Sequence, residues 1–253
     1  MLRTLFHRLG RCLTAFGITV SLVLAVVDVS HARGPRLLDM LQMNLCNSGW
    51  AGCYTGRSVG TAAALIRAER PDVVTLNEIC RDDARALGRA SGMAVSFQPA
   101  IDRRIGQPIV CRDGEPYGIG LLLRAPANRP ARGGTYPIQD PGGPEGRAWL
   151  CAPAAGGLVA CTTHLVSTNP IVALAQCRHF FATAAAAFPD RRVVVGGDFN
   201  LGDLTSCLPP HYVADSDGGV QHVAVAGTAR TGRQRVIDMA GTTDHPALAV
   251  TWL

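Results

Sequence analysis

The sequence predicts an α+β fold, and three observations indicate it. Short apolar runs typical of strands outnumber segments with helical spacing, the two kinds do not alternate strictly, and Pro- or Gly-containing turns separate them. Strict alternation would indicate a repeated βαβ unit, whereas a mixed order favours packed sheets with a few helices. Neither an internal repeat nor a second domain is evident in the sequence.

The predicted elements begin with a strand over residues 37–45, followed by a helix that carries Val59, Ala62 and Ile66 on one face. Pro71 ends this helix. The second strand covers residues 72–79. Other helices are predicted over residues 82–90 and 170–188, the latter with Pro170 in its first turn. Further strands are predicted over residues 119–123, 148–152, 158–165, 191–195, 220–226 and 246–253, with a surface loop over residues 126–146.

The N-terminus has the pattern of a secretory signal. Three arginines precede an apolar run over residues 12–27, and Ser30-His31-Ala32 offers small residues for cleavage after Ala32. A retained membrane anchor is the alternative, although the run is short for a membrane span. We therefore predict a signal peptide over residues 1–32 and a secreted, extracellular domain over residues 33–253, with no integral membrane segment after cleavage and a monomeric state.

The composition indicates an ordinary globular protein but does not identify its function. The chain is 47% apolar and 17% charged, as in ordinary globular proteins, and every Lys or Arg position holds arginine. The formal net charge of +5 suits a substrate that carries phosphate. A solvated basic surface explains the same charge equally well, so the charge identifies no partner.

Eight cysteines remain after the predicted cleavage, and an even number in an exported protein favours disulfides. Zinc is the competing interpretation, but the chain has no CxxC pair. Cys151 and Cys161 are symmetric about Gly156, so a hairpin that turns there would place them face to face. Cys46 and Cys53 are paired by proximity. The remaining pairs, Cys80–Cys111 and Cys177–Cys207, have no local argument.

Polar residues follow or precede several apolar strands at their ends. They are Asn44, Asn77, Glu78, His164, Asp198, Asn200, Asp244 and His245. Strand ends are rigid mounts, and the loops beyond them admit substrate. Taken singly, each residue fits a cap, a turn or a satisfied strand position. Together they supply oxygen ligands for a hard cation, a base for water and donors for developing charge, which phosphodiester hydrolysis requires.

The motifs QMNLC, LNE, TTHL, GGDFN and TDHPAL follow one another along the chain. In this order the sequence resembles the endonuclease/exonuclease/phosphatase superfamily, which includes deoxyribonucleases and sphingomyelinases. The resemblance covers about residues 37–253. It implies a four-layer αββα sandwich of two mixed β-sheets flanked by helices.

The resemblance also implies a role for each matching residue. Glu78 and Asn44 would hold Mg²⁺, with Mn²⁺ and Ca²⁺ as alternatives. The implied catalytic residues are His245 as base or phosphate stabiliser with Asp244 beside it, Asp198 for water, Asn200 for the phosphate and His164 as a donor. The implied function is that of a phosphodiesterase or endonuclease acting on DNA or another nucleic acid. A phosphomonoesterase, a sphingomyelinase-like phospholipid hydrolase and a secreted binding protein with a weakened site are the alternatives.

One position departs from the resemblance. Gln221 stands where relatives usually carry an aspartate, and glutamine supplies no charge, so the rate and metal affinity are in question. Asp215 or Asp217 is the candidate to compensate. Tyr117 and Arg147 stand where substrate contacts are common, with a structural use as the equal alternative. For Arg178, next to apolar helix positions, we expect a buried ion pair.

Overall fold

The computed structural model describes residues 38–189 and 191–253. The predicted signal peptide and its cleavage point lie outside these residues. The described helices are Ser58–Glu69 (α1), Arg81–Ser91 (α2) and Pro170–Ala187 (α3). The strands, β1 to β15 in chain order, span Leu38–Asn44, Val73–Cys80, Ala94–Pro99, Ile101–Asp102, Gln107–Pro108, Tyr117–Leu123, Arg132–Thr135, Glu145–Gly146, Ala148–Pro153, Leu158–His164, Arg192–Asp198, Tyr212–Ser216, Gln221–Ala226, Thr231–Ile237 and Ala247–Trp252.

The strands form two large mixed sheets and one small sheet. The first sheet has the order β14-β15-β1-β2-β6-β3, the second β12-β13-β11-β10-β9-β7, and β5-β4-β8 form the third. In each large sheet one central pair is parallel, β1 with β2 and β10 with β11, and the other pairs are antiparallel.

Alternation along the strands explains why two sheets and three helices stack in four layers. Val194 on β11 points into the core between the sheets, whereas its neighbours Val193 and Val195 pack in the core beneath α3. On the first sheet, Met40 faces the second sheet and Leu41 faces the core under α1 and α2. The predicted αββα sandwich is therefore confirmed.

The strands that sequence analysis missed in the large sheets lie at their edges. β3 and β14 end the first sheet, and β7 and β12 end the second. Edge strands face water on more than one side, so they lack the apolar pattern that identifies a buried strand. β7, together with β8, lies inside residues 126–146, so the segment predicted as a surface loop contains two short strands.

Four disulfides join the cysteines in the pairs that the sequence suggested: Cys46–Cys53, Cys80–Cys111, Cys151–Cys161 and Cys177–Cys207. Cys151 and Cys161 face each other directly in the β9–β10 hairpin. Such a set of disulfides is typical of an oxidising compartment. Within residues 38–189 and 191–253, no helix is both long and apolar enough to cross a membrane.

The prediction for Arg178 was wrong. Its side chain is exposed, and its Nε donates to the carbonyl oxygen of Ser206 (3.1 Å) rather than to an acid. The buried face of α3 runs through Ala173, Cys177 and Phe180. Arg178 falls beside that face, where a guanidinium stays in contact with water.

Candidate active site

The strand directions bring the predicted site residues to one end of the sandwich. Parallel pairing sets Asn44 beside Asn77 at the carboxyl ends of β1 and β2, and His164 beside Asp198 at those of β10 and β11. Gln221, the first residue of the antiparallel β13, pairs with Asp198. His245 precedes the antiparallel β15, which neighbours β1, so it reaches the same end.

A buried hydrogen-bond network locks the two sheets together directly below this end. Asn77 Oδ1 accepts from Gln42 Nε2 (2.7 Å) and from the backbone N–H of Asp198 (2.8 Å), while its Nδ2 donates to the carbonyl of Thr163 (2.9 Å). Asn77 is fully buried, and each of these contacts but the first crosses from one sheet to the other. Satisfied networks of this kind fix the positions of their members. Asp198 is therefore held by its backbone as well as by its side chain.

Two glycines allow the sheets and strands to approach closely at this point. A Cβ at Gly196 would lie 2.4 Å from both Met40 Cε and Thr75 Oγ1 on the opposite sheet. A Cβ at Gly197 would lie 2.3 Å from the carbonyl oxygen of Thr163 on β10. The two glycines of GGDFN thus permit packing beneath Asp198. A Cβ at Gly197 would require a shift of backbone, whereas a Cβ at Gly196 would require the Met40 and Thr75 side chains to move.

Glu78 sits on a distorted backbone. The β2–β6 register shifts between Leu76 and Ile79, and Glu78 has φ of 53°, in the left-handed region. A non-glycine residue in that region costs about 1–3 kcal/mol and tends to occur at functional sites. The bulge turns the Glu78 side chain, 20% exposed, to the edge of the sheet.

The Glu78 carboxylate accepts few hydrogen bonds. Among the described residues only Asn44 gives it a hydrogen bond, from Nδ2 to Oε1 (2.9 Å). Burial raises the pKa of Glu78, and the bond from Asn44 and the charge of Arg147 offset this only in part. Asn44 Nδ2 also donates to Asp198 Oδ2 (3.0 Å), and its Oδ1 accepts from the backbone N–H of Cys46 (3.1 Å). Asn44 therefore presents its nitrogen to the two acids, and its metal-ligating role stays a prediction.

Asp198 is nearly fully buried, and donors surround it. Its Oδ2 accepts from Asn44 and from Gln221 Nε2 (2.8 Å), and its Oδ1 accepts from the backbone N–H of Asn200 (3.1 Å). His245 Nε2 lies 3.6 Å from the same Oδ2. These contacts fix the orientation of the carboxylate.

Asn200 and Asp244 are less tightly involved. Asn200 has φ of 50° and donates from Nδ2 to the carbonyl of Leu165 (2.8 Å), which holds the turn after β11. Asp244 Oδ1 lies 3.8 Å from His245 Nε2, beyond hydrogen-bond range, and its side chain is 54% exposed. The proposed effect of Asp244 on His245 stays a prediction.

His164 is buried between Arg147 and Glu78. Its Nδ1 lies 2.8 Å from Arg147 Nη1, and its Nε2 lies 3.8 Å from Glu78 Oε1. A guanidinium only donates, so Nδ1 must accept and the ring proton must reside on Nε2. Burial, together with the charges of Arg147 and His245, holds the pKa of His164 well below its usual range. His164 is thus a neutral imidazole that points an N–H into the site.

Tyr117 lies next to Arg147 and His164. With Glu145, Arg147 and His164 it lines a cavity of roughly 10 Å³, about the space of one water molecule. Burial raises the pKa of Tyr117 well above 10, so its hydroxyl stays protonated. Arg147 also pairs with Glu145 (3.0 Å).

Sequence analysis did not identify Gln42 and Thr75 as supporting residues of the site, and it placed Asn77 at a strand end of the site without giving it a role. Thr75 Oγ1 donates to Gln42 Oε1 (2.5 Å), and Gln42 Nε2 donates to Gln221 Oε1 (2.7 Å). A signal was present, because Gln42, Thr75 and Asn77 are polar residues in strands that are otherwise apolar. Such residues need buried partners, and here the partners belong to the site.

Gln221 lies in the site, at the position where the resemblance led us to expect an aspartate. It is fully buried, and it passes the network from Gln42 to Asp198. Neither candidate for compensation replaces a charge there. Asp215 accepts from Thr231 and Trp252, and Asp217 Oδ1 accepts from the backbone N–H of Gln221 (3.1 Å) without reaching Asp198.

Replacing Gln221 by an acid of equal length is expected to destabilise the fold in a pH-dependent way. In Gln221→Glu a carboxylate oxygen would replace the donor that lies 2.8 Å from Asp198 Oδ2. Like charge and burial raise the pKa of such a pair, so stability is retained at low pH and lost as the pH rises through the raised pKa. We expect a loss of about 1–3 kcal/mol at pH 8 relative to pH 5, measured by urea unfolding against wild type. Gln234→Glu, on the exposed edge strand β14, is the control. An equal loss of stability in both variants would contradict the role of Gln221 as a buried donor to Asp198.

Removing the Arg147 guanidinium is expected to lower kcat more than it raises KM. Arg147→Met leaves Nδ1 of His164 without its donor, so the Nε2–H tautomer is no longer enforced. Loss of a partner that orients a site residue typically costs about 10- to 100-fold. The pH profile should also shift, because the pKa of His164 rises when the neighbouring charge is removed. Arg85→Met, on the exposed face of α2, should leave the profile unchanged.

The donor set fits a hard divalent cation. Two carboxylates, Glu78 and Asp198, converge on one amide nitrogen, and Glu78 is buried with a single donor. Oxygen ligands of this kind suit Mg²⁺, Mn²⁺ or Ca²⁺. Two other acids, Asp113 and Asp244, lie near cysteine sulfurs, but those sulfurs are in disulfides and do not act as thiolate ligands. Glu78 is therefore the strongest candidate ligand.

The sequence profile of the endonuclease/exonuclease/phosphatase family matches residues 46–245. No curated protein matches the chain at the sequence level. D. rerio TDP2 complexed with a single-strand DNA product is 16% identical, with a TM-score of 0.67 over 87% of this chain and 100% of that one. The Beutenbergia cavernae DSM 12333 family protein is 18% identical, with a TM-score of 0.65 over 86% and 72% of the two chains. The human nocturnin catalytic domain with bound sulfate is 13% identical, with a TM-score of 0.67 over 86% and 93%.

At these identities the solved structures establish the common fold, and the profile establishes the family. The chain belongs to the endonuclease/exonuclease/phosphatase family, whose members hydrolyse phosphoester bonds and generally depend on divalent metal ions.

Proposed function

We propose that this protein is a secreted, Mg²⁺-dependent phosphodiesterase that acts as an endonuclease. The observation that carries the proposal is the convergence of Glu78, Asp198 and His164 at one end of the sandwich, where Asn44 bonds both acids and His164 lies beside Glu78. The predicted signal peptide and the four disulfides support export. The single-strand DNA product bound to D. rerio TDP2 supports a nucleic-acid substrate.

Glu78 would hold the cation, with Asn44 fixing the carboxylate. A divalent cation bound there would supply positive charge that neutralises the phosphate. Asp198 would hold a water molecule and take its proton as the water oxygen bonds to phosphorus and the ester P–O bond breaks, and the departing oxygen would take a proton from solvent. The bonds from Asn44, Gln221 and the backbone of Asn200 orient this carboxylate before substrate arrives.

The two histidines would stabilise charge on the phosphoryl oxygens. His164 is neutral and its Nε2 carries the proton, so it suits donation of a hydrogen bond better than transfer of a proton. His245, 24% exposed, approaches Asp198 from the open side, where it can donate to a second oxygen. Preorganised donors of this kind each contribute about 10²–10³ to the rate. Asn200 and Asp244 would support the phosphate and His245.

The proposal is tested with a panel of substrates. Purified, oxidised protein is incubated with plasmid DNA, bis-p-nitrophenyl phosphate, p-nitrophenyl phosphate and sphingomyelin, each with Mg²⁺, Mn²⁺, Ca²⁺ or EDTA. We expect Mg²⁺-dependent nicking of plasmid DNA that EDTA and Glu78→Ala abolish. Preferred hydrolysis of the monoester or of sphingomyelin would replace the endonuclease by one of those activities. Folded protein with no turnover of any substrate would leave a binding protein.

A further inference from the structure

Outside the catalytic cluster, one exposed aromatic side chain is held in a defined orientation. Trp50 is 65% exposed, and it lies in the loop that the Cys46–Cys53 disulfide closes after β1. Its indole Nε1 donates to the carbonyl of Val110 (3.1 Å), and its backbone N–H donates to Ser48 Oγ (3.2 Å). An indole fixed at its polar edge cannot turn freely, although most of its surface is in water.

The loop that carries Trp50 is packed against a second disulfide-bonded loop. The guanidinium carbon of Arg112 lies 5.5 Å from the Trp50 ring centroid, and the Arg112 N–H donates to the carbonyl of Ser48 (2.8 Å). Gly49 has φ of 83°, and a Cβ there would lie 2.6 Å from Arg112 Cβ. The approach of Arg112 to the indole therefore requires glycine at position 49. Cys111, next to Arg112, is bonded to Cys80, two residues after Glu78.

The loop that carries Trp50 adjoins the candidate active site through its other residues. The backbone N–H of Asn47 donates to the carbonyl of Glu78 (2.8 Å). The Sγ atoms of the Cys46–Cys53 disulfide and a carboxylate oxygen of Asp244 lie within 4.8 Å of one another. Thr55 Oγ1 donates to the carbonyl of Thr242 (2.8 Å), which ties the loop to the segment that carries His245. The loop thus contacts both Glu78 and the segment that carries Asp244 and His245.

We propose that Trp50 and Arg112 form a stacking platform for a nucleobase next to the scissile phosphate, so that the substrate is single-stranded or locally unpaired nucleic acid. This inference rests on the proposed function and narrows its substrate class. Every base offers a flat face, and stacking on a rigid indole costs little ordering. Arg112 has no acidic partner among the described residues, so its charge is available to a neighbouring phosphate.

The charge on the platform also argues against a choline headgroup. A quaternary ammonium binds over an aromatic face, but here the Arg112 guanidinium lies 5.5 Å from the ring centroid and would repel a second cation at the same ring. A nucleotide has the opposite requirement, because its base is neutral and its phosphate is an anion. The pair therefore matches a nucleic acid better than a phosphocholine lipid.

The test compares Trp50→Ala with a matched variant elsewhere on the molecule. Arg132 lies over Phe188 at the same 5.5 Å separation, at the far end of α3, so Phe188→Ala removes a guanidinium–aromatic contact away from the site. Phe188 also packs against the core, so thermal unfolding checks that this variant is folded. The substrates are a single-stranded oligonucleotide and a series in which one base at a time is replaced by an abasic site. Binding of the same oligonucleotide in EDTA is measured by anisotropy, and sedimentation with phosphatidylcholine–sphingomyelin vesicles tests a membrane contact.

We expect Trp50→Ala to raise KM and the Kd in EDTA by about 5- to 150-fold, the range for loss of one stacked base. The kcat should change little, and Trp50→Phe should recover most of the loss. Wild type should cleave poorly when one base flanking the cut is missing, and Trp50→Ala should be indifferent to that base. Phe188→Ala should behave as wild type.

Three results would each overturn the platform alone. They are an unchanged KM in Trp50→Ala, a Trp50→Ala enzyme that still cleaves poorly when the flanking base is missing, and a loss of vesicle binding in Trp50→Ala with unchanged oligonucleotide cleavage. Failure of the proposed function is distinguishable, because wild type would then cleave neither plasmid DNA nor the intact oligonucleotide in Mg²⁺. Nicking of plasmid DNA without cleavage of the oligonucleotide would also overturn the platform alone.

Discussion

Glu78→Gln should lower kcat/KM for DNA by about 10³-fold while leaving the fold at least as stable as wild type. The amide keeps the shape of the side chain and its bond to Asn44 but removes the charge that would hold the cation. Burial raises the pKa of Glu78, so the folded protein binds this proton more tightly than the unfolded chain does. The ionised group therefore reduces stability as the pH rises through the raised pKa, and the variant relieves this cost.

Thermal unfolding in a titration of Mg²⁺ separates this explanation from simple damage. Wild type should gain melting temperature as Mg²⁺ is added, because an ion that binds only the folded state stabilises it. Glu78→Gln should not. The matched control is Glu69→Gln, since Glu69 is 21% exposed against 20% for Glu78 and pairs with Arg235 at the end of α1. A Glu78→Gln enzyme with near wild-type activity would exclude Glu78 as the principal ligand.

The central strands could be predicted because their burial leaves a direct trace in the sequence. Val193-Val194-Val195 must be apolar on both faces, one facing the other sheet and one facing α3. Parallel neighbours then fix which ends of β1, β2, β10 and β11 meet, so residues far apart in the chain could be placed at one edge. The edge strands β3, β7, β12 and β14 leave no such trace.

The supporting contacts of the site could not be predicted from local pattern. Whether Asn77 lies against Asp198 depends on how closely the two sheets approach each other. Whether Arg147 reaches His164 depends on the direction of its side chain beyond the β9–β10 hairpin, which strand spacing does not specify. The left-handed conformation of Glu78 is likewise a property of the bulge and not of the residue type. The role of Gln221 was open for the same reason. Whether glutamine suits this position depends on its hydrogen bond with Gln42, which lies 179 residues away in the sequence.

Asp198→Asn should lower kcat by about 10³-fold and also destabilise the protein by about 1–3 kcal/mol. Asp198 Oδ2 accepts from two amide nitrogens, those of Asn44 and Gln221, so an asparagine there must either face them with its own nitrogen or turn that nitrogen toward the backbone N–H of Asn200. Each choice leaves donors opposed in a site that is 1% exposed.

The stability loss distinguishes Asp198 from Glu78, although both are proposed to act on the same phosphate. Glu78 has one donor and gains from neutralisation, whereas Asp198 has three and loses by it. Urea unfolding of the two amide variants should therefore move in opposite directions, while both lose activity. Asp39→Asn, at the start of β1, is the control for an acid that accepts a side-chain bond away from the site. If Asp198→Asn were as stable and as active as wild type, neither the orientation of this carboxylate nor its role as base would stand.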